Sequence, residues 1–130
     1  MTSLESGLMG LSETTSDMKK LLEIEADDTR AAEAIALFCY QIKKQIGSYA
    51  AALGGVDSLI FSGGMGEQAP RIRARICEGL EFIGIELDNG RNEMNSELIS
   101  SDASRVGVHV LHTDEAVTIV TEMSRLVRVE

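Results

Sequence analysis

The sequence predicts an α/β fold in which one long helix and several flanking helices pack on a small sheet. Three observations predict it. The second half of the chain reads helix, strand, helix, strand, helix. Apolar residues recur at steps of three and four between residues 27 and 53, the period of a helix with one buried face. The composition is aliphatic, with 44% hydrophobic but only 4% aromatic residues, as is usual where helices cover a sheet.

Taken in order, residues 1–14 are rich in Ser, Thr and Gly and read as loop and turn. Thr15-Ser16-Asp17 offers start chemistry for a short helix through Met18-Lys19-Lys20-Leu21-Leu22. Asp27-Asp28-Thr29 starts the long helix, where the acids complement the positive end of the helix dipole. Ile35, Phe38, Cys39, Ile42, Ile46, Tyr49, Ala50 and Leu53 mark its inner face, and Gly54-Gly55 ends it. At 1.5 Å per residue it is roughly 40 Å long. Ser58-Leu59-Ile60-Phe61 is a buried strand. A tight bend, Ser62-Gly63-Gly64-Met65-Gly66-Glu67-Gln68, follows, and Ala69-Pro70 opens the next helix, with proline where its missing N–H costs nothing. Ile72, Ile76 and Leu80 face inward from that helix; Arg71, Arg73 and Arg75 are expected on its solvated side. Residues 82–87 read as extended, Asp88-Asn89-Gly90-Arg91-Asn92 as a turn, and 106–111 as a strand; 93–103 carry no clear period. Thr113-Asp114-Glu115 starts a last helix reaching about Leu126.

Length and charge narrow the function. The 130 residues fit a single domain, 1–130. A net charge of −9 leaves no electrostatic footprint for DNA or RNA. Cys39 and Cys77 sit among apolar neighbours and read as buried free thiols, neither a disulfide framework nor a zinc site. No secretory pattern opens the chain and no run approaches the roughly 20 apolar residues of a membrane span. The expectation is a soluble cytoplasmic protein with neither nucleic-acid nor membrane partners.

The most informative segment is the strand that breaks into Gly63-Gly64-Met65-Gly66 and enters a helix. Such a break turns backbone N–H groups toward a concavity at a helix N-terminus, which suits a phosphate or a closely held nucleotide. It is not the dinucleotide fingerprint, because the third glycine after Gly64-x-Gly66 would fall at Ala69, and no Gly-Lys-Ser/Thr makes it a P-loop. Spacing alone favours a plain strand-to-helix turn over a ligand site. His109 and His112 are expected in packing or surface roles, and Asp88 in the turn.

Several stretches together resemble acetate kinases. Ser6-Gly7-Leu8-Met9-Gly10-Leu11-Ser12 with Thr15-Ser16-Asp17-Met18-Lys19 resembles the segment preceding that family's adenine pocket. Tyr49 to Asp57 is similar to its helix end, and Ser62 to Pro70 to its adenosine loop. Cys77-Glu78-Gly79-Leu80-Glu81-Phe82-Ile83-Gly84-Ile85-Glu86-Leu87-Asp88 is close to a family hallmark, and His112-Thr113-Asp114-Glu115 resembles its C-terminal metal motif. The likeness runs in order along almost the whole chain and covers about the C-terminal third of a family member.

The resemblance implies the C-terminal lobe of an actin-like ATPase (ribonuclease H-like) fold, present here incompletely. It implies ATP or ADP as ligand and Mg2+ as metal. It places Gly64, Met65 and Gln68 along the adenosine, and Asp17, Met18 and Lys19 against base and ribose; Asp17 also suits a helix cap. It places Glu115 at the magnesium, where one carboxylate with bound waters fits that ion's habits, although an acid there also complements a helix dipole. Lys19, Gln68 and Ala116 stand where Arg, Asn and a second Glu are common. The groups that stabilise the migrating phosphoryl lie N-terminal to the matched region in the family, so no catalytic residue is carried over and the chain alone is expected to be inactive. Expected partners are an adenine nucleotide, a second copy in a homodimer, and a separate N-terminal half. The alternative functions are a non-catalytic dimerisation module and, more distantly, a dinucleotide binder.

Overall fold

The computed structural model describes residues 18–62, 69–111 and 125–129. Helix α1 covers residues 18–24 of these. Helix α2, Thr29–Leu53, runs for 25 residues. Strand β1 is Ser58–Phe61, helix α3 Pro70–Cys77, a 3-10 turn Glu81–Ile83, helix α4 Asn89–Glu93, strand β2 Gly107–Val110 and strand β3 Leu126–Val129. The three strands form a parallel sheet in the order β2-β1-β3. The architecture is the expected one, a long helix and flanking helices on a small sheet.

The capping of α2 follows from its ends. Asp28 accepts hydrogen bonds on its carboxylate from the N–H groups of Arg30 and Ala31, at 2.9 and 3.3 Å. Gly54 takes the left-handed conformation at φ 80° and its N–H reaches the Ala50 carbonyl, so glycine ends the helix where a Cβ would be strained. Ile35, Cys39, Ile42 and Ile46 are buried along one stripe. Phe38, Tyr49 and Ala50 pack at the margin of the core. Leu53, expected inside, is 37% exposed at the last turn of the helix.

The register places Leu59 opposite Val108 and Val127, and Phe61 opposite Val110 and Val129. These six side chains share one cluster with Ile35, Ile42 and Ile46 of α2 and Ile72 and Ile76 of α3, so both helices cover the same face of the sheet. Ile60 belongs to a second, smaller cluster with Leu111 and Leu126 on the opposite face. All four residues of β1 are buried, as befits the middle strand.

Four local expectations are corrected. Residues 82–87 are not a strand: the 3-10 turn ends at Gly84 with φ 106°, and only Leu87 makes an isolated bridge, to Ser100. The Arg105 guanidinium fills the space a Gly84 Cβ would need and donates to the Ile83 carbonyl at 2.7 Å, which folds the chain there. Residues 88–92 are not a simple turn: Asp88 caps the Arg91 N–H at 2.9 Å and so starts α4. Leu126 is the first residue of β3, not the end of a helix; the register pairs Leu126-Val127-Arg128-Val129 with β1 along its whole length. Arg73 is not on a solvated face but fully buried. The helix expected from Thr113 lies outside the described residues up to Leu126.

Both cysteines are buried and free. Burial pushes the Cys77 thiol up to about 12 and raises that of Cys39 in the same direction. The native protein should therefore resist a thiolate-directed reagent at pH 8 and take up label at both positions once denatured. Fast labelling of the folded chain would contradict the burial. Gly84→Ala should cost about 1–3 kcal/mol, through both the left-handed backbone and the clash with Arg105. Urea midpoints read this, and an unchanged midpoint would refute it.

Candidate functional site

Every strand of the sheet points its carboxyl end to one edge, at Phe61, Val110 and Val129. The strand after β1 in sequence lies on one side of it and the next strand on the other, so the chain reverses direction across β1. Ligands of open parallel sheets bind outside such an edge, at such a reversal. Two of the segments singled out in the sequence begin here. The Leu111 N–H donates to the Phe61 carbonyl at 2.9 Å, and the Ser62 N–H to the Val129 carbonyl at 2.8 Å. Ser62 and Leu111, the last described residues before the two segments, are thus held side by side.

Gly64, Met65, Gln68 and Glu115 lie outside the described residues, and so does Asp17. The described residues bring their anchor points together. His112 is also outside the described residues.

Met18 is described and is 5% exposed, in the same cluster as Phe61 and Ala69, which flank the glycine bend on either side. Lys19 is exposed. The helix that carries them is tied to α3 by one carboxylate. Arg71 donates to Glu25 at 2.8 Å and Arg75 pairs with its other oxygen at 2.7 Å. This triad joins the segment beginning at Met18 to the helix that follows the bend. The sequence placed both arginines on a solvated face; they are partly exposed, but they have a shared partner.

Two features give the edge a positive bias. Ala69 stands in the cap position of α3 and Pro70 follows, so the cap residue itself offers no side-chain acceptor to the helix start. Arg128 donates from Nε to the Ser62 hydroxyl at 3.3 Å, setting a guanidinium beside the first residue of the bend. Both suit an anion better than a cation. Elsewhere the charge has the opposite sign: a hollow of about 240 Å³ beyond the end of α3 is lined by Glu78, Glu81 and Glu86 together with Ala74, Cys77, Leu87 and Asn89. Among the described residues no group of three or more His, Cys, Asp or Glu side chains is placed to hold a metal. His109 is held below its ordinary imidazole range by burial, with Glu97 acting against the shift, so it is neutral at pH 7.

The sequence missed Arg73 and Asn92. Arg73 donates from Nε to Asn92 Oδ1 at 2.8 Å and from Nη2 to the Asn92 carbonyl at 3.0 Å and to Asn95 Oδ1. Asn92 returns a bond from Nδ2 to the Pro70 carbonyl at 2.9 Å. Desolvation lowers the guanidinium to about 10, which still leaves it protonated at pH 7. A signal was present: Arg73 falls four residues after Ala69 and four before Cys77, on a stripe of the helix that is buried throughout.

Glu25→Gln should lower stability by roughly 0.5–1 kcal/mol, discounted for the solvent around both arginines. The gap to the parent protein should shrink between low salt and 1 M NaCl, as screening removes the attraction. A gap unaffected by salt would show that the triad contributes packing alone.

Comparison with known proteins is consistent in one direction. The family model described as the acetokinase family matches residues 1–121. The acetate kinase of Solibacter usitatus is 44% identical over 128 residues, covering 95% of this chain and 31% of that protein. The acetate kinase of Rhizobium meliloti is 47% identical over 123 residues, with the same two shares. Among solved structures, Porphyromonas gingivalis acetate kinase matches with a TM-score of 0.71 at 38% identity, over 88% of this chain and 30% of that one. A propionate kinase from Francisella tularensis matches at 0.68 and 31% identity, over 85% and 29%. The chain spans under a third of the length of these relatives.

Proposed function

This chain belongs to the acetokinase family, and we propose that it is the nucleotide-binding C-terminal part of an acetate kinase, whose whole form turns ATP and acetate into ADP and acetyl phosphate. The observation that carries the reading is the meeting of Ser62 and Leu111 at the carboxyl edge of the sheet, from which the adenosine loop and the metal segment both set out.

In this reading Gly64, Met65 and Gln68 line the adenosine. Asp17 accepts bonds from the ribose hydroxyls, and Lys19 lies against the base. Met18 backs the pocket from the core, consistent with its burial beside Ala69 in the same cluster. The start of α3 and the Arg128 guanidinium favour the anionic end of the ligand. Glu115 holds Mg2+ through water, and the ion, when bound, offsets charge on the phosphates. In-line transfer also needs positive groups on the migrating phosphoryl and a pocket for the acceptor carboxylate. The resemblance assigns none of these to the present residues, so the chain alone makes one wall of a cleft and no acetyl phosphate. Leu37 and Tyr40 stand 58% and 57% exposed three residues apart on α2, which supports a homodimer as a further partner.

Calorimetry should find MgADP or MgATP binding to the purified chain and no heat with NAD. Glu115→Gln should weaken the MgADP complex by roughly tenfold, about 1.4 kcal/mol, while leaving metal-free ADP little changed. Equal binding of NAD, or no response of the metal dependence to Glu115→Gln, would overturn the site assignment. Acetyl phosphate production by the 130 residues alone would overturn the expected inactivity.

A further inference from the structure

We propose that Arg73 is a positioning residue, whose buried guanidinium sets the point where the chain leaves the glycine bend and enters α3. The inference rests on the nucleotide reading of residues 63–68 and adds a residue that the family resemblance did not assign.

Arg73 is 0% exposed, the largest fully buried side chain among the described residues. Its acceptors named above are amide oxygens, two from Asn92 and one from Asn95. Asn95 takes φ 52°, a left-handed backbone that a side-chain amide can tolerate, and the chain after α4 thereby curls around the guanidinium. The bond from Asn92 to the Pro70 carbonyl closes the circuit onto the first turn of α3. The Arg73 N–H itself donates to the Ala69 carbonyl at 3.0 Å. One residue thus holds Ala69 through its backbone and Pro70 through Asn92.

Burying a guanidinium is costly, and an apolar side chain of similar volume often serves stability equally well. Ile72 and Ile76 already press α3 onto the sheet. Apolar contact fixes which face of a helix is buried, yet it tolerates sliding and rotation. A planar fork with several donors in fixed directions does not. What Arg73 adds is the register of the first helical turn against α4, and with it the placement of Ala69, where the chain enters α3.

Two variants test this. Arg73→Lys keeps the charge and loses the fork. It should cut the amide-exchange protection of positions 73 and 74 at least about tenfold, with α2 amides at Ile42 and Ile46 unchanged. It should also weaken MgADP by at least about tenfold. The double variant Arg73→Met with Asn92→Leu replaces the polar circuit by apolar packing; its α2 amides at Ile42 and Ile46 should keep parent protection while MgADP binds as weakly as in Arg73→Lys. Unchanged protection at positions 73 and 74, an equal loss of protection throughout α2, or parent-like MgADP affinity in the double variant would each overturn the proposal. If the parent chain takes up no MgADP, the nucleotide reading fails, and the local exchange at positions 73 and 74 alone decides for or against Arg73.

Discussion

Strand β1 has to be hydrogen-bonded on both sides and buried on both faces, and most of the structure follows from that constraint. Its four residues are all buried. Parallel neighbours on either side cannot be reached by tight hairpins, so each connection must leave the far edge and travel back. The first return holds α3, the 3-10 turn and α4. Because β2 lies on one flank of β1 and β3 on the other, the segments after β1 and β2 depart from neighbouring points. The pairing of Leu111 with Phe61 and of Ser62 with Val129 is a consequence of this sheet order. The candidate site is therefore located by topology before any of its side chains is considered.

Arginines then fix what apolar packing leaves loose. At the amino edge of the sheet, Arg125 embraces the Asp57 carboxylate with two bonds, at 3.0 and 2.6 Å, and donates to the Gly54 carbonyl at 2.8 Å. It reaches into the space a Cβ on Gly55 would occupy, so the glycine pair after α2 serves both the helix end and this clamp. Arg71 and Arg75 converge on Glu25 and fasten α1 to α3. Arg91 donates to the Ser100 carbonyl at 2.6 Å and pairs with Asp102, closing the segment after α4. These exposed pairs contribute little free energy singly. Their value lies in direction, since they join separate segments whose apolar contacts alone would permit small displacements.

The sequence revealed elements wherever one local signal was sufficient. The stripe of α2, its Asp28 and Gly54 ends, the apolar run of β1 and Pro70 at the head of α3 all came from short-range chemistry. It misled where tertiary contacts override local preference. Phe82-Ile83-Gly84-Ile85 has strand-like composition, but Gly84 beside Arg105 turns the backbone out of extension. Asn89-Gly90 suggests a turn, yet Asp88 recruits the same residues into a helical cap. Arginine is among the residue types least often fully buried, and long-range partners that include Asn92 and Asn95 make the burial of Arg73 tolerable here. β3 was hidden because four residues pairing with a strand some seventy positions earlier leave no periodic trace of their own. For the site, the glycine bend and Glu115 stand as sequence expectations, since both lie outside the described residues. That Ser62 and Leu111, which precede them, lie at one edge was not legible, because it depends on the strand order.

The balance of charge explains why such an edge should work poorly in isolation. The chain carries −9 overall, and Glu78, Glu81 and Glu86 border the hollow at the far end of α3. On the proposed reading, attraction of an anion at the near end rests on Arg128 beside Ser62 and on the ion that Glu115 would hold. In open water a pair of unit charges about 4 Å apart gains only about 1 kcal/mol, against about 4 kcal/mol at the lower effective dielectric of a covered site. A second wall would therefore strengthen every one of these interactions without changing a residue of this one. On the proposed reading, a second wall from the rest of a family member would exclude water and tighten the nucleotide binding that this edge begins.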